Sequence, residues 1–367
     1  MRPYEGLKVL DLSQGIAGPH AGMLLALHGA DVVKVEPPEG DWSRGLGQNW
    51  EGVSIICATY NRGKRSITLD LKNPADHARA TEMARKADVV LESFRPGVVG
   101  RLGLAYADVR KINPGVIYLS VSGFGQTGPY AERPCTDSVA QAYAGLAASN
   151  LGADGIPHRI GVFVCDVITG LYGFSAIQAA LAGRAANGGQ YIDIDLTHGT
   201  AALLSIQIAG SVAAGGTTAP VNVPAGTYRT NDGWLGLTFV REAQYVTMCE
   251  AIGRADLSTD PRYQSFASRA QHQDALIGEL RTVFAAQPTT HWTAILQAKG
   301  LLADRINTPL ELVSDPHMLA RGSIVAHPQP GMGSITLPLT PGVRTDADLA
   351  PAPLLGQHSG EVAANPW

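Results

Sequence analysis

An α/β fold built on a parallel sheet is predicted by three features of the 367-residue chain. A strand–helix–strand pattern opens it between residues 7 and 36. The same alternation continues to about residue 196. The texture then changes after about residue 221, which marks a second, smaller α+β domain.

The first strand is Leu7-Lys-Val-Leu-Asp-Leu12, followed by the loop Ser13-Gln-Gly-Ile-Ala-Gly-Pro19. A helix runs from about His20 to His28, and Gly29 closes it in the way glycine commonly ends helices. Ala30-Asp-Val-Val-Lys-Val-Glu36 is the second strand. A helix over 75–86, a strand over 87–92, a helix over 106–112 and a strand over 116–122 repeat the unit. A long helix from Val167 to about Ala185 stops at Asn187-Gly188-Gly189, and Tyr191 to Leu196 alternates like a strand. Beyond 221, two short strands flank the Asn231-Asp232-Gly233 turn, and charged helices follow near 242–252, 268–286 and 289–299. The tail from about 326 is Pro-rich and strand-poor and packs back on the large domain. The expected division is therefore 1–220, 221–325 and 326–367.

Hydrophobic residues make up 45% and charged residues 16%, enough for a sizeable core. The net charge of -4, without a polybasic run, argues against a nucleic-acid or anionic-membrane surface. Gly199 to Tyr228 carries no charge, but polar residues and prolines interrupt it, so the segment is read as a helix buried on all sides, in a subunit interface, rather than a membrane span. Cys57, Cys135, Cys165 and Cys249 form no C-x-x-C pair, and the first residues lack the apolar core of a signal peptide. Reduced thiols in a cytoplasmic protein are expected.

Several motifs lack the context their chemistry needs. Gly123-Phe-Gly-Gln-Thr-Gly128 has dinucleotide-binding spacing, but Pro129 and Pro134 prevent the helix that should follow. The ten histidines show no zinc-ligand spacing, and no G-x-S-x-G elbow or P-loop is present. No metal is expected. Arg62-Gly-Lys64-Arg65 is either a solvated turn or an anion site; with Lys72 and Arg101 it would suit a polyphosphate.

Asp166 lies where an apolar run meets the long uncharged helix. Read locally, it is a common N-cap aspartate. The helix's positive end would equally keep such a carboxylate ionised and able to act as a nucleophile.

The blocks Val9-Leu-Asp-Leu-Ser13, Ala17-Gly-Pro19, Gly29 to Glu36, Asn61 to Lys72, Ala87 to Gly97, Ser122 to Tyr130, Asp166 with Thr169-Gly170, and Tyr228 to Gly233 occur in the order seen in the class III CoA-transferases of the CaiB/BaiF type. The chain resembles that family over roughly residues 5–325. The resemblance implies a Rossmann-like large domain, a smaller α+β domain and an interlocked homodimer. It implies coenzyme A, as acyl-CoA substrate, and a carboxylic acid as the reactants. It makes Asp166 the nucleophile that forms acyl anhydride and CoA thioester intermediates. It also brings Ile16 and Ala17 near the CoA by their backbone, Leu69 and Lys72 near its adenine and phosphates, and Ser93, Phe94 and Arg101 nearby. Leu69 and Phe94 suit a core equally well, and Arg101 a surface ion pair.

Two departures narrow the activity. Relatives that racemise 2-methylacyl-CoA carry a Gly-His-Asp segment where this chain has Cys135-Thr136-Asp137. Threonine is too weak an acid for that role, which favours CoA transfer unless another histidine compensates. The glycine-rich flap of the oxalate and formate transferases is reduced here to Gly215, Gly216 and Gly226, which argues against oxalate as substrate. The alternatives are a racemase or epimerase and a non-catalytic CoA-binding relative.

Overall fold

The computed structural model describes residues 2–152, 154–216, 220–364 and 366–367. The chain forms two compact units. The first runs to Ile208 and resumes at Gly322; the second is Ala209–Arg321.

The first unit is organised by six parallel strands: β1 (Lys8–Asp11), β2 (Asp31–Glu36), β3 (Arg65–Thr68), β4 (Val89–Glu92), β5 (Ile117–Ser122) and β6 (Gln190–Asp195). Their order across the sheet is β3-β2-β1-β4-β5-β6. This is the doubly wound Rossmann order, whose direction reverses between β1 and β4. The central strands are buried on both faces, as continuous apolar runs in parallel sheets predict. On one face Val9, Val89, Leu91, Ile117 and Leu119 pack with Ala21 and Leu25 of α1 (Ala17–Leu27). On the other, Leu10, Val33, Val90 and Tyr118 pack with Ala80 and Met83 of α3 (Pro74–Lys86); α2 (Ile55–Tyr60) lies between β2 and β3 in sequence.

The remaining helices of this unit include α4 (Tyr106–Ile112), α5 (Asp137–Tyr143), α6 (Val164–Asn187) and α7 (Leu196–Leu203). Helix α6 starts earlier than expected, at Val164 rather than Val167, which places Asp166 inside its first turn. A Cβ on Gly170 would lie 2.7 Å from the Ala17 carbonyl oxygen, so only glycine lets α1 and α6 approach so closely.

Two expectations fail. The uncharged stretch after Gly199 is not one helix: it forms α7 and then α8 (Ser205–Ala214), and no residue of α8 is buried by its own chain. Hydropathy without amphipathic contrast could not show which side a helix would cover. Among the described residues, the helix long and apolar enough by length and composition to cross a membrane is instead α6. The C-terminal tail is also not strand-poor. It contains an antiparallel hairpin, β10 (Ile324–Gln329) and β11 (Gly333–Pro338), whose prolines stand at Pro328 and the final position Pro338. The first break between units falls before position 220, at Ile208–Ala209 within α8.

The second unit has a three-stranded antiparallel sheet of β7 (Gly226–Arg229), β8 (Trp234–Thr238) and β9 (Leu302–Arg305), in the order β9-β8-β7. Its core gathers Tyr228, Leu235, Met248, Phe284 and Trp292. Arg269 is fully buried there between the rings of Tyr245 and Phe266, with its guanidinium donating to the Val223 and Tyr263 carbonyls.

Candidate active site

Ligands of doubly wound sheets bind outside the carboxyl ends of the strands, where the strand order reverses. Here that point lies between the loops after β1 and β4. The two loops are pinned together: Gln14 N–H donates to Ser93 Oγ (2.8 Å), and Ser93 Oγ donates back to the Gln14 carbonyl (3.0 Å).

A buried charge network fixes the β1 loop from below. Lys34 Nζ donates to the Ser13 carbonyl (2.6 Å) and pairs with Asp41 (2.8 Å), whose carboxylate also accepts from Gly15 N–H (3.0 Å). Lys64 Nζ pairs with Asp11 (2.8 Å) and donates to the Pro19 carbonyl (2.8 Å). Burial alone would raise the Asp11 carboxyl, but Lys64 and Lys34 hold it below its ordinary value. Gly15 adopts φ +85°, and a Cβ there would lie 2.3 Å from the Trp42 ring. The loop is thus set by both charge and steric fit. These partners overturn the anion-site reading of Arg62, Lys64 and Arg65: Arg62 pairs with Asp348 (2.8 Å), Lys64 with Asp11, and Arg65 with Asp31 (2.8 Å).

Two cavities open at the switch point. One, of about 510 Å³, is lined by Ile16, Ala17, Ser93, Phe94, Thr136 and Asp166, among others. The second, of about 380 Å³, is lined by Leu69, Lys72, Phe94 and Val98. Gln14 and Phe94 belong to both walls, so the two cavities adjoin. Seven of the eight residues singled out from the sequence therefore line one cavity or the other. Arg101 lines neither; it is exposed at the end of the Val98–Arg101 turn, between the lining residues Val98 and Leu102.

Asp166 is not the N-cap of α6. The cap position is Phe163, and Asp166 is the third helical residue. Its backbone N–H is satisfied from outside the helix, by the Asp137 carboxylate (3.4 Å), which also takes the Cys165 N–H (2.8 Å). Among the described residues nothing donates a hydrogen bond to the Asp166 carboxylate. The expectation that the helix end keeps it ionised is also corrected. Burial first, and then the neighbouring Asp137 charge, push its pKa up to about 7.

A second raised carboxyl supports the wall. Glu92 ends β4, directly before Ser93 and Phe94; one oxygen accepts from Phe94 N–H (2.8 Å) and Oε1 has no partner among the described residues. Burial pushes it up to about 7. The folded state then holds a proton that the unfolded chain loses above about pH 4.5, so stability falls as pH rises from there to about 7. Glu92→Gln removes that loss. It is expected to stabilise the protein by on the order of 2 kcal/mol at pH 8 and little at pH 4.5, read from urea unfolding at the two pH values.

Sequence reasoning missed Asp137, Gln14, Arg95 and Arg133, all of which line the 510 Å³ cavity. Arg133 lies over the Tyr130 ring (4.2 Å), and neither arginine has an acidic partner among the described residues. Tyr130 packs edge-on against Phe124 and Tyr143, and nothing in their spacing announced that cluster.

The sequence profile of CoA-transferase family III matches residues 4–359. The chain belongs to CoA-transferase family III. It is 35% identical to succinyl-CoA–D-citramalate CoA-transferase of Chloroflexus aurantiacus, over 98% of this chain and 93% of that protein. It is 34% identical to the succinyl-CoA:glutarate CoA-transferase of Mus musculus, over 99% and 86%. A CaiB/BaiF family protein from Brucella suis, solved by crystallography, superposes with a TM-score of 0.87 at 33% identity, covering 99% of each chain. The chain is thus a class III CoA-transferase with the mixed α/β fold of its relatives.

Proposed function

We propose that this CoA-transferase moves CoA between an acyl-CoA and a carboxylic acid with Asp166 as the nucleophile. The observation that carries this reading is a carboxylate without a hydrogen-bond donor, facing a cavity at the Rossmann switch point. The Asp166 carboxylate attacks the thioester carbonyl, the C–S bond breaks, and CoA leaves as thiolate with a mixed anhydride behind. The thiolate then attacks the aspartyl carbonyl, releasing the donor acid and leaving aspartyl-CoA. The acceptor carboxylate attacks that thioester, forming a second anhydride and free thiolate. Thiolate attack on the acceptor's acyl carbon yields the new acyl-CoA and restores Asp166.

The two adjoining cavities suit an extended CoA. Its adenosine end fits beside Leu69 and Lys72, with Arg101 within reach as a phosphate contact. Its arm passes Gln14 and Phe94, and its thioester reaches Ile16, Ala17 and Ser93. Helix α1 begins at Ala17 without a side-chain cap, so its first N–H groups are free for an oxygen that gains negative charge during attack. We assign an interlocked homodimer as the working form. Outward-facing apolar side chains support it, including Leu171 and Tyr172 on α6 and Ile206 (83% exposed) and Val212 (78%) on α8. Four free thiols suit a cytoplasmic setting. Racemisation is disfavoured. Thr136 stands at the position of the racemase histidine, no histidine lines the reaction cavity among the described residues, and burial pushes the Cys135 thiol up to about 11.

The acids named for the relatives above, citramalate and glutarate, are dicarboxylic, and Arg95 and Arg133 offer cations for a second carboxylate. In a panel of acceptors read by mass spectrometry of new thioesters, short dicarboxylates are expected to outperform monocarboxylates. Arg133→Gln should raise KM for dicarboxylates by roughly 10–100-fold, the value of one charge-assisted contact, and leave monocarboxylates unchanged. Equal use of both acid classes by the wild type would refute the dicarboxylate assignment.

A further inference from the structure

The nucleophile reading leaves one buried charge unexplained. Asp137 heads α5 and is 5% exposed, yet its carboxylate is spent on another helix. One oxygen accepts the backbone N–H groups of Cys165 and Asp166, the second and third residues of α6. These are the donors that an N-cap side chain normally takes, and Phe163 at that position offers none. The other oxygen accepts from Gln141 Nε2 (2.6 Å). Gln141 is itself fully buried and accepts the Ile160 N–H (2.8 Å). Asp137 is therefore clamped from its own helix and reaches across to cap the next.

We propose that Asp137 is a positioning residue for CoA transfer: by capping α6 from outside, it turns the Asp166 carboxylate to the cavity and sets the strength of that nucleophile by its charge. The proposal rests on Asp166 being the nucleophile. With the Cys165 and Asp166 N–H groups taken by Asp137, neither ties the Asp166 carboxylate back to the helix end, and its lone pairs stay open to the substrate. Burial first, and then this second carboxylate, make it a stronger base and a better nucleophile than a solvated aspartate.

The groups around Asp166 leave Asp137 as the charge that can do this. His20 on α1, pushed down to about 4, is neutral near pH 7. Tyr60 on α2 is raised, and the Cys135 and Cys165 thiols stand at about 11, so all three are neutral as well. Asp195, at the end of β6, acts on Cys135, and Arg95 and Arg133 line the cavity.

The test is the pH profile of kcat/KM for acyl-CoA in the full-length protein, for wild type, Asp137→Asn and Asp137→Ala. Asparagine keeps a cap oxygen and removes the charge. Its acid limb should move down by about one pH unit, with kcat at pH 8.5 falling roughly tenfold. Alanine should lose at least as much kcat, because the cap is gone too. If Asp137→Asn does not fold, Asp137→Ser is measured in its place with the same limb shift expected. A purely structural role would lower thermal stability and leave the limb where it is. An unmoved limb with wild-type kcat in the neutral variant overturns the proposal. The Asp166→Asn variant, run alongside, separates the two readings. If it is inactive while the Asp137 limb is unmoved, only the positioning role fails; if it still exchanges CoA, the nucleophile reading itself is lost.

Discussion

Asp166→Ala is expected to lower kcat for CoA exchange by at least about 10³-fold while leaving CoA affinity within a few-fold of wild type. Among the described residues the side chain has no hydrogen-bond partner, so its removal takes away the reacting oxygen and little else. Asp166→Asn should behave almost identically, since an amide of the same shape cannot attack a thioester at a useful rate. Binding is read by calorimetry with free CoA and exchange by the appearance of new thioester. The wild-type activity should also fall on the acid side with an apparent pKa near 7, about tenfold per unit well below it, as the carboxylate that burial and Asp137 have made basic takes up its proton.

The second large effect is on stability. Lys64→Met should cost about 3–5 kcal/mol, because it strands the fully buried Asp11 carboxylate without its principal cation. It also removes the ammonium that holds the Pro19 carbonyl and the Asn61 side chain (2.9 Å). Urea unfolding of Lys64→Met, of Asp11→Asn and of the double variant closes a thermodynamic cycle. The double variant is expected to recover a large part of the loss, since neither charge is then buried alone. A loss below about 1 kcal/mol in Lys64→Met would mean that the network does not hold the β1 loop.

Much of the fold was readable because its elements signal themselves locally. Apolar runs of four to six residues, separated by periodic helices and closed by glycines such as Gly29, mark parallel strands whatever their order. The order itself was not readable from period or propensity, because which strands become neighbours depends on contacts far apart in sequence. The reach of the site had the same limit. Asp166 was visible at the edge of its helix, and matching positions pointed to Ile16, Leu69, Lys72 and Phe94. Asp137 precedes Asp166 by most of a loop and a helix, and its cap crosses from α5 to α6, so no window of sequence contains the pair. The basic run Arg62 to Arg65 misled for the same reason: its partners Asp11, Asp31 and Asp348 come from distant segments. Helix α8 misled in the opposite way, since an apolar surface looks the same in sequence whether its own chain or another copy covers it.

The most direct test is chemical trapping. Protein incubated with acyl-CoA and quenched with hydroxylamine is digested, and the peptide carrying Asp166 is read by mass spectrometry. A hydroxamate on Asp166, dependent on acyl-CoA and absent from Asp137 and Asp195, is the predicted result. An unmodified Asp166 peptide from protein that is turning over at its full rate would contradict it.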